Sequence, residues 1–162
     1  MKLPRRIRID LLDAFRTGCF DCIEPGQDKW WILSNFPDPD GMTEHEAMRS
    51  DYSIWRYGNI EFHFDRDTLF LIYSDYLDTL NGGPSLLLDP WIIGSMPLTL
   101  QNVGMVLNRE GIDYAKRSQP QFDSLTLTLD PSGVQFHFNA SEEEYPDPNL
   151  FPMSAFAITK RK

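Results

Sequence analysis

The cysteine pair Cys19 and Cys22 is the first feature of this sequence with chemical potential. A Cys-x-x-Cys spacing suits thiol exchange or half of a zinc site. Zinc would need two further ligands, and the sequence holds no second Cys-x-x-Cys. A thioredoxin-type pair follows a strand and opens a helix, whereas this one follows a helical pattern. We therefore expect two buried or half-buried free thiols and no metal or other cofactor.

Two histidines lie in nearly identical segments, Ile60-Glu-Phe-His-Phe64 and Val134-Gln-Phe-His-Phe138. In each, the alternation places the Phe pair on one face of a strand and the His on the other. Two histidines on one sheet face could bind a metal ion or transfer protons. A hydrolase that uses carboxylates with His63 or His137 is therefore one hypothesis. Against it, the sequence lacks a nucleophile elbow, His-Glu-x-x-His and a Gly-rich phosphate loop.

Both segments belong to predicted β-hairpins. Residues 60–64 alternate, 65–67 form a polar break, and 68–73 are β-branched and aromatic, which predicts a hairpin in the centre of a sheet. Residues 125–129 and 134–138 alternate around the turn formed by 130–133. We expect short strands at 29–34 and 85–88 as well, with Trp30 and Trp31 on opposite faces. Residues 149–159 are predicted to form a final edge segment.

Helical spacing predicts helices at about 6–17, ended by Gly18, and from Thr99 to Gly111. Thr43 and Glu46 have the spacing of a capping box, so a short helix is expected at 44–50. Glu44, His45 and Glu46 are then an exposed first turn. Together these elements predict a single α+β domain over residues 1–162: a largely antiparallel β-sheet of about five or six strands with helices packed against it.

The formal net charge of −9 is unevenly distributed. Residues 21–80 carry thirteen acidic and four basic groups, and residues 122–157 carry six acidic groups and no basic one, while both ends are basic. An acidic surface repels nucleic acid and favours a basic partner, although solubility alone would also explain it. No apolar run reaches the ~18–20 residues that span a bilayer, and Asp10 and Asp13 interrupt the N-terminal apolar segment, so we expect a cytoplasmic protein.

Residues 52–138 resemble immunity proteins of bacterial polymorphic-toxin systems, including contact-dependent growth inhibition loci. The resemblance rests on Trp55-Arg-Tyr-Gly-Asn-Ile-Glu-Phe-His-Phe64, on the apolar strand that ends at Asp75, on the Gly111-Ile112-x-Tyr114 step and on Ser132-Gly133-Val134. It implies a cytoplasmic protein that binds one cognate toxin domain, commonly a nuclease, and has no catalytic residues of its own.

The leading hypothesis is therefore a toxin-neutralising protein whose carboxylates pair with the basic groups of a toxin. The surplus of aromatic residues, Trp31 and Tyr52 among them, suits anchors of such an interface. A cytoplasmic adaptor with an unrelated partner is a further alternative. The candidate partner-binding residues are the acidic groups of two loops and the polar face of the first hairpin: Asp38, Asp40, Glu44, Glu46, Glu61, His63, Asp75, Glu142, Glu143, Glu144 and Asp147.

Overall fold

The computed structural model describes residues 6–49, 51–140 and 147–160. Within these ranges there are nine strands and four α-helices. The strands are β1 (Ile7–Asp10), β2 (Ile54–Tyr57), β3 (Ile60–Asp65), β4 (Thr68–Ser74), β5 (Leu86–Asp89), β6 (Asp113–Gln119), β7 (Ser124–Asp130), β8 (Gln135–Asn139) and β9 (Met153–Thr159). The helices are α1 (Leu11–Thr17), α2 (Lys29–Asn35), α3 (Glu44–Ala47) and α4 (Leu100–Arg109).

Seven strands form one antiparallel sheet in the order β2-β3-β4-β9-β8-β7-β6. The α+β class with a largely antiparallel sheet is thus confirmed, whereas the expected five or six strands were too few. A separate two-stranded parallel sheet joins β1 to β5. Its pairing is between residues about eighty apart in sequence, which local patterns do not reveal.

Strand β9 occupies the centre of the sheet, so the prediction of a C-terminal edge segment is wrong. Phe156 and Ile158 face the core, while Ala155 and Ala157 are buried on the other face beside the larger side chains of β4 and β8. The first hairpin, β3–β4, correspondingly lies to one side of the centre. Both predicted hairpins are otherwise confirmed, with β-bulges at His63/Phe64 and at His137/Phe138.

Residues 29–34 form helix α2 and not the predicted strand. Asp28 caps this helix by accepting a hydrogen bond from the backbone N of Trp31 at 2.7 Å. Lys29, Ile32 and Leu33 are buried, which is the i, i+3, i+4 spacing of a helix face. Trp30 and Trp31 therefore both remain exposed instead of pointing to opposite sheet faces.

The predicted first helix also begins later than expected. Residues Ile7–Asp10 form β1, and the carboxylate of Asp10 caps α1 by accepting from the backbone N of Asp13. Gly18 ends α1 in the left-handed region, as predicted. The capping box of Thr43 and Glu46 and the Thr99 cap of α4 are confirmed as well.

One face of the large sheet carries the core. Phe15 of α1 packs edge-on against Phe136 and Phe156, with ring centroids 5.0 and 5.1 Å apart. Phe62, Phe64 and Phe138 also lie in this core, and so do the apolar side chains of α4. The alternating residues of the same strands, Glu61 and His137 among them, are only partly buried. We call their side of the sheet the open face.

Candidate partner-binding surface

Four of the predicted acidic residues lie at one end of the sheet. In an antiparallel sheet, the β2–β3 turn at Gly58, the end of β4, the end of β8 and the start of β9 all fall at the same end. The chain segments at this end contain Asp38, Asp40, Asp75 and Asp147. Glu142, Glu143 and Glu144 lie outside the described residues, so their role stays a prediction.

Asp40 connects the loop after α2 to the β2–β3 turn through hydrogen bonds. Its Oδ2 accepts a hydrogen bond from the backbone N of Gly58 at 2.5 Å, and its own backbone N donates to the Arg56 carbonyl at 2.8 Å. The side chain thereby holds the loop after α2 against the β2–β3 turn. Burial, together with the negative charges of Asp38 and Asp40, raises the pKa of Tyr57 well above its usual value. The Tyr57 hydroxyl stays protonated and donates to the carbonyl of Pro37 at 2.7 Å.

Glu46 and Asp147 also have local partners. The carboxylate of Glu46 accepts from the backbone N and the hydroxyl of Thr43, and these bonds lower the pKa of Glu46. Asp147 accepts from the backbone N of Asn149 at 2.9 Å. Glu44 is in the exposed first turn of α3. The carboxylates of Glu46 and Asp147 therefore stabilise local turns of the chain. Glu44 and Asp75 are exposed.

Glu61 and His63 lie together on the open face, as the alternation predicted. Glu61 Oε2 accepts a hydrogen bond from His63 Nε2 at 2.8 Å, and Glu61 Oε1 lies 3.3 Å from Arg56 Nη2. The His63 ring stands edge-on to Phe70 and Tyr73, each with its centroid 6.2 Å away. Burial first, and then the charges of Asp75 and Glu61, raise the pKa of Tyr73, which keeps its hydroxyl protonated.

The two histidines that the alternation places on one face of the sheet are far apart on that face. His63 is on β3 and His137 on β8, with β4 and β9 between them. Three strand spacings separate the strands by about 14 Å. Ligands of one metal ion lie within ~2–2.5 Å of it, so these two rings cannot share one. No group of three or more metal-ligating side chains occurs among the described residues.

Exposed apolar side chains gather at the opposite end of the first hairpin, around its turn at 65–67. We call this set the aromatic corner: Trp30, Trp31, Tyr52, Ile54 and Phe70. They are half of the ten large apolar side chains that are exposed in the described chain. Trp30 is 60% exposed and Phe70 is 47% exposed, which is unusual unless a partner covers them.

Specific contacts bring the aromatic corner together. The backbone N of Lys29 donates to the Asp67 carbonyl, which fixes the start of α2 beside the hairpin turn. Ile54 pairs across the strands with His63. Phe70 is the extra residue of the β3–β4 bulge, and its ring lies against His63 on the open face. The sequence predicts Trp31 and Tyr52 as anchors but not Phe70, because a bulge has no signature in the alternation.

Lys29 is the buried charge that supports this corner. Its side chain has no exposed surface, and its Nζ donates to the carbonyls of Tyr52 at 2.7 Å and Arg49 at 3.0 Å. The ring of Phe64 lies 5.3 Å from the same Nζ. Burial lowers the pKa of Lys29, although the nearby carboxylate of Asp67 opposes the shift. The ammonium group therefore fixes the segment that presents Tyr52.

Cys19 and Cys22 do not form a disulfide bond with each other. Cys19 is half-buried, but Cys22 is exposed, so the prediction of two buried or half-buried thiols is wrong for Cys22. Partial burial of the thiol, followed by the charge and hydrogen bond of Asp21, raises the pKa of Cys22. At neutral pH this thiol is therefore mostly protonated and a poor nucleophile.

Comparisons with protein-family models, curated proteins and solved structures find no match to this chain. Among the described residues, no helix has the length and apolar character needed to cross a membrane.

Proposed function

We propose that this protein binds and neutralises a cognate bacterial toxin domain by covering it, with no catalysis of its own. The observation that carries the proposal is the aromatic corner. Two tryptophans, a tyrosine and a phenylalanine are exposed together there, and Trp and Tyr are the residues most enriched in binding hot spots. Their exposure leaves apolar surface in water, which a partner would bury.

The charge of the chain indicates a basic partner. The segments that form the aromatic corner also contain Asp28, Asp51, Asp65 and Asp67, and the guanidinium of Arg49 is paired with Asp51. A nuclease domain carries basic groups that hold substrate phosphates, and opposite charge would speed its association with this surface. We place the complex in the cytoplasm and expect neither a cofactor nor direct binding of nucleic acid.

Co-expression tests this proposal. The domain encoded directly upstream of this protein in its native locus should be toxic when expressed alone and harmless with the full chain. The two proteins should also purify together at one-to-one stoichiometry. Toxicity that persists despite full expression of this protein would contradict the proposal.

The electrostatic part has a separate test. Glu44→Lys combined with Asp65→Lys reverses two exposed charges that have no side-chain hydrogen bond among the described residues, and Asp65 lies at the hairpin turn beside the aromatic corner. We expect the association rate to fall roughly tenfold at low salt, and the difference to shrink as salt increases. Asp113→Lys combined with Asp130→Lys is the matched control, because it makes the same charge change at two exposed positions in the other half of the sheet. Equal rates for the wild-type chain and the double variant would exclude a steering role for these carboxylates.

A second candidate is a small hydrolase, because a histidine bonded to a carboxylate is the arrangement of a general base and its orienting group. Glu61 and His63 have this geometry. His63→Gln would abolish any hydrolytic activity of the purified protein under this hypothesis, whereas toxin neutralisation would survive the change. Bound metal at one equivalent per chain would also favour an enzyme.

A further inference from the structure

The open face contains a groove in the half of the sheet away from the aromatic corner. It has a volume of about 480 Å³ and runs from Tyr73 on β4 to Arg117 on β6. Four strand spacings give it a length of about 19 Å. Its volume is within the range of small-molecule sites.

The groove results from small residues on the central strand. Ala157 pairs with Tyr73 on one side and with Gln135 on the other, and Ala155 pairs with His137. Because an alanine side chain ends at Cβ, the larger side chains on both sides stand above it. The central strand contributes Ser154 and Ala155 to the floor, and Tyr73, Gln135 and His137 form the walls.

The charge of the groove differs from that of the whole chain. Its lining contains one arginine and no carboxylate, although the chain has 24 acidic residues against 15 basic ones. Arg117 has no ion pair or side-chain hydrogen bond within the described residues. Arg56, the other arginine on the open face, is paired with Glu61 at 3.3 Å. Arg117 is thus the guanidinium of this face that is available to an anion.

The remaining lining groups can hydrogen-bond to a ligand. Within the described chain, the side chains of Tyr73, Thr128 and Gln135 have no hydrogen-bond partner. His137 Nδ1 lies 3.2 Å from the Thr126 hydroxyl, which leaves Nε2 for another partner. Burial lowers the pKa of His137, so its ring is neutral at neutral pH. The groove therefore offers one fixed positive charge and several neutral donors and acceptors.

We propose that this groove binds a small anionic ligand, whose carboxylate or phosphate group pairs with Arg117 and whose other polar groups hydrogen-bond to Gln135, Thr128 and His137. Arginine recognises both anions through two parallel N–H donors, so the guanidinium by itself does not separate them. Repulsion from distant carboxylates is weak at physiological salt, where charges are screened beyond about 8 Å. The proposal does not depend on toxin binding.

NMR titration of the isotope-labelled full chain tests it with three probes: inorganic phosphate, citrate, and glucose 6-phosphate. We expect saturable shifts of the Arg117 side-chain signal and of the Gln135 amide. If a phosphate ester is the natural group, glucose 6-phosphate will bind more tightly than citrate, and a carboxylate ligand would reverse that order. Hydroxyls that reach the neutral donors should make glucose 6-phosphate bind more tightly than phosphate alone.

Arg117→Gln should weaken binding of every probe roughly tenfold or more, since a charge-assisted hydrogen bond is lost. Arg56→Gln is the matched control and should leave the affinities unchanged. Gln135→Glu, which adds a carboxylate to the lining, should abolish binding in a folded protein. The proposal is overturned if no probe gives saturable shifts, or if Arg117→Gln and Arg56→Gln have the same effect.

Discussion

The segments Ile60–Phe64 and Val134–Phe138 have nearly the same sequence but different surroundings. Both place two phenylalanines in the core and one histidine on the open face. In the first, the residue two before the histidine is Glu61, which binds both His63 and Arg56. In the second it is Gln135, and His137 contacts the hydroxyl of Thr126.

The alternation therefore places each segment in the sheet, while the residue two positions before each histidine sets the chemistry of the surface around it. The half of the open face around Glu61 is charged and adjoins the aromatic corner. The half around Gln135 has no carboxylate in its groove. We infer a protein-binding half and a small-anion-binding half on a single sheet.

The largest expected effect is the loss of toxin binding when exposed aromatic residues are removed from the protein-binding half. Trp30→Ala combined with Phe70→Ala removes two anchors of the aromatic corner and should weaken binding of the toxin domain more than a hundredfold, since hot-spot truncations cost about 2 kcal/mol or more each. Phe122→Ala is the control, because Phe122 is 71% exposed but lies beside β6. Isothermal titration calorimetry would measure both. Equal losses in the two variants would remove the distinction between the halves.

The next effect concerns the buried ammonium that supports the aromatic corner. Lys29→Met leaves the carbonyls of Arg49 and Tyr52 without their donor and should lower the free energy of unfolding by about 2–3 kcal/mol. Lys116→Met changes an exposed lysine on β6 and should stay within about 0.5 kcal/mol of wild type. Urea denaturation compares the two. A Lys29→Met variant as stable as wild type would show that the ammonium does not hold this segment.

A smaller effect is expected when the half of the open face around Glu61 is made to resemble the half around Gln135. Glu61→Gln replaces the carboxylate between Arg56 and His63 by the amide found at Gln135, and should cost less than about 1 kcal/mol of stability because Arg56 is largely exposed. The freed Arg56 should then respond to phosphate in an NMR titration as Arg117 does. If the Arg56 signal does not shift, a free guanidinium is not sufficient for phosphate binding, and the other groups of the groove around Arg117 are also required.

The smallest effect is a dependence of stability on pH at His137. Burial lowers its pKa below the usual 6.5, so the unfolded chain binds this proton more readily than the folded chain. The resulting stability is complete above about pH 6.5 and is lost as the pH falls further. The charged neighbour across the groove is Arg117, while Thr126 and Gln135 are neutral. Urea midpoints should therefore fall more on acidification in wild type than in His137→Asn, and parallel curves would contradict the shift.

The elements that the sequence predicted correctly are those determined by residues close together in the chain. Alternation identified both hairpins, and the spacing of Thr43 and Glu46 identified the capping box. Helix α2 was mistaken for a strand because its aromatic and β-branched residues have high strand propensity, while the Asp28 cap and the burial of Lys29 favour a helix in the folded chain.

Most of the candidate surface depends on strand pairing and on contacts between residues that are far apart in the chain. The exposure of Phe70 comes from a bulge, and the proximity of Tyr52 to α2 comes from the Lys29 hydrogen bonds. The groove requires β9 to lie at the centre of the sheet, which places Ala155 and Ala157 between β4 and β8. The continuous apolar run at 155–158 is consistent with a buried strand, but it does not indicate which strands lie on either side of it.

Hydrogen–deuterium exchange of the chain with and without the toxin domain would locate the binding surface. We expect slower exchange in the complex at residues 26–31, 51–56 and 65–71, with no change along β6 and β7. Protection confined to β6 and β7 or to α4, with the aromatic corner exchanging as in the free chain, would contradict this expectation.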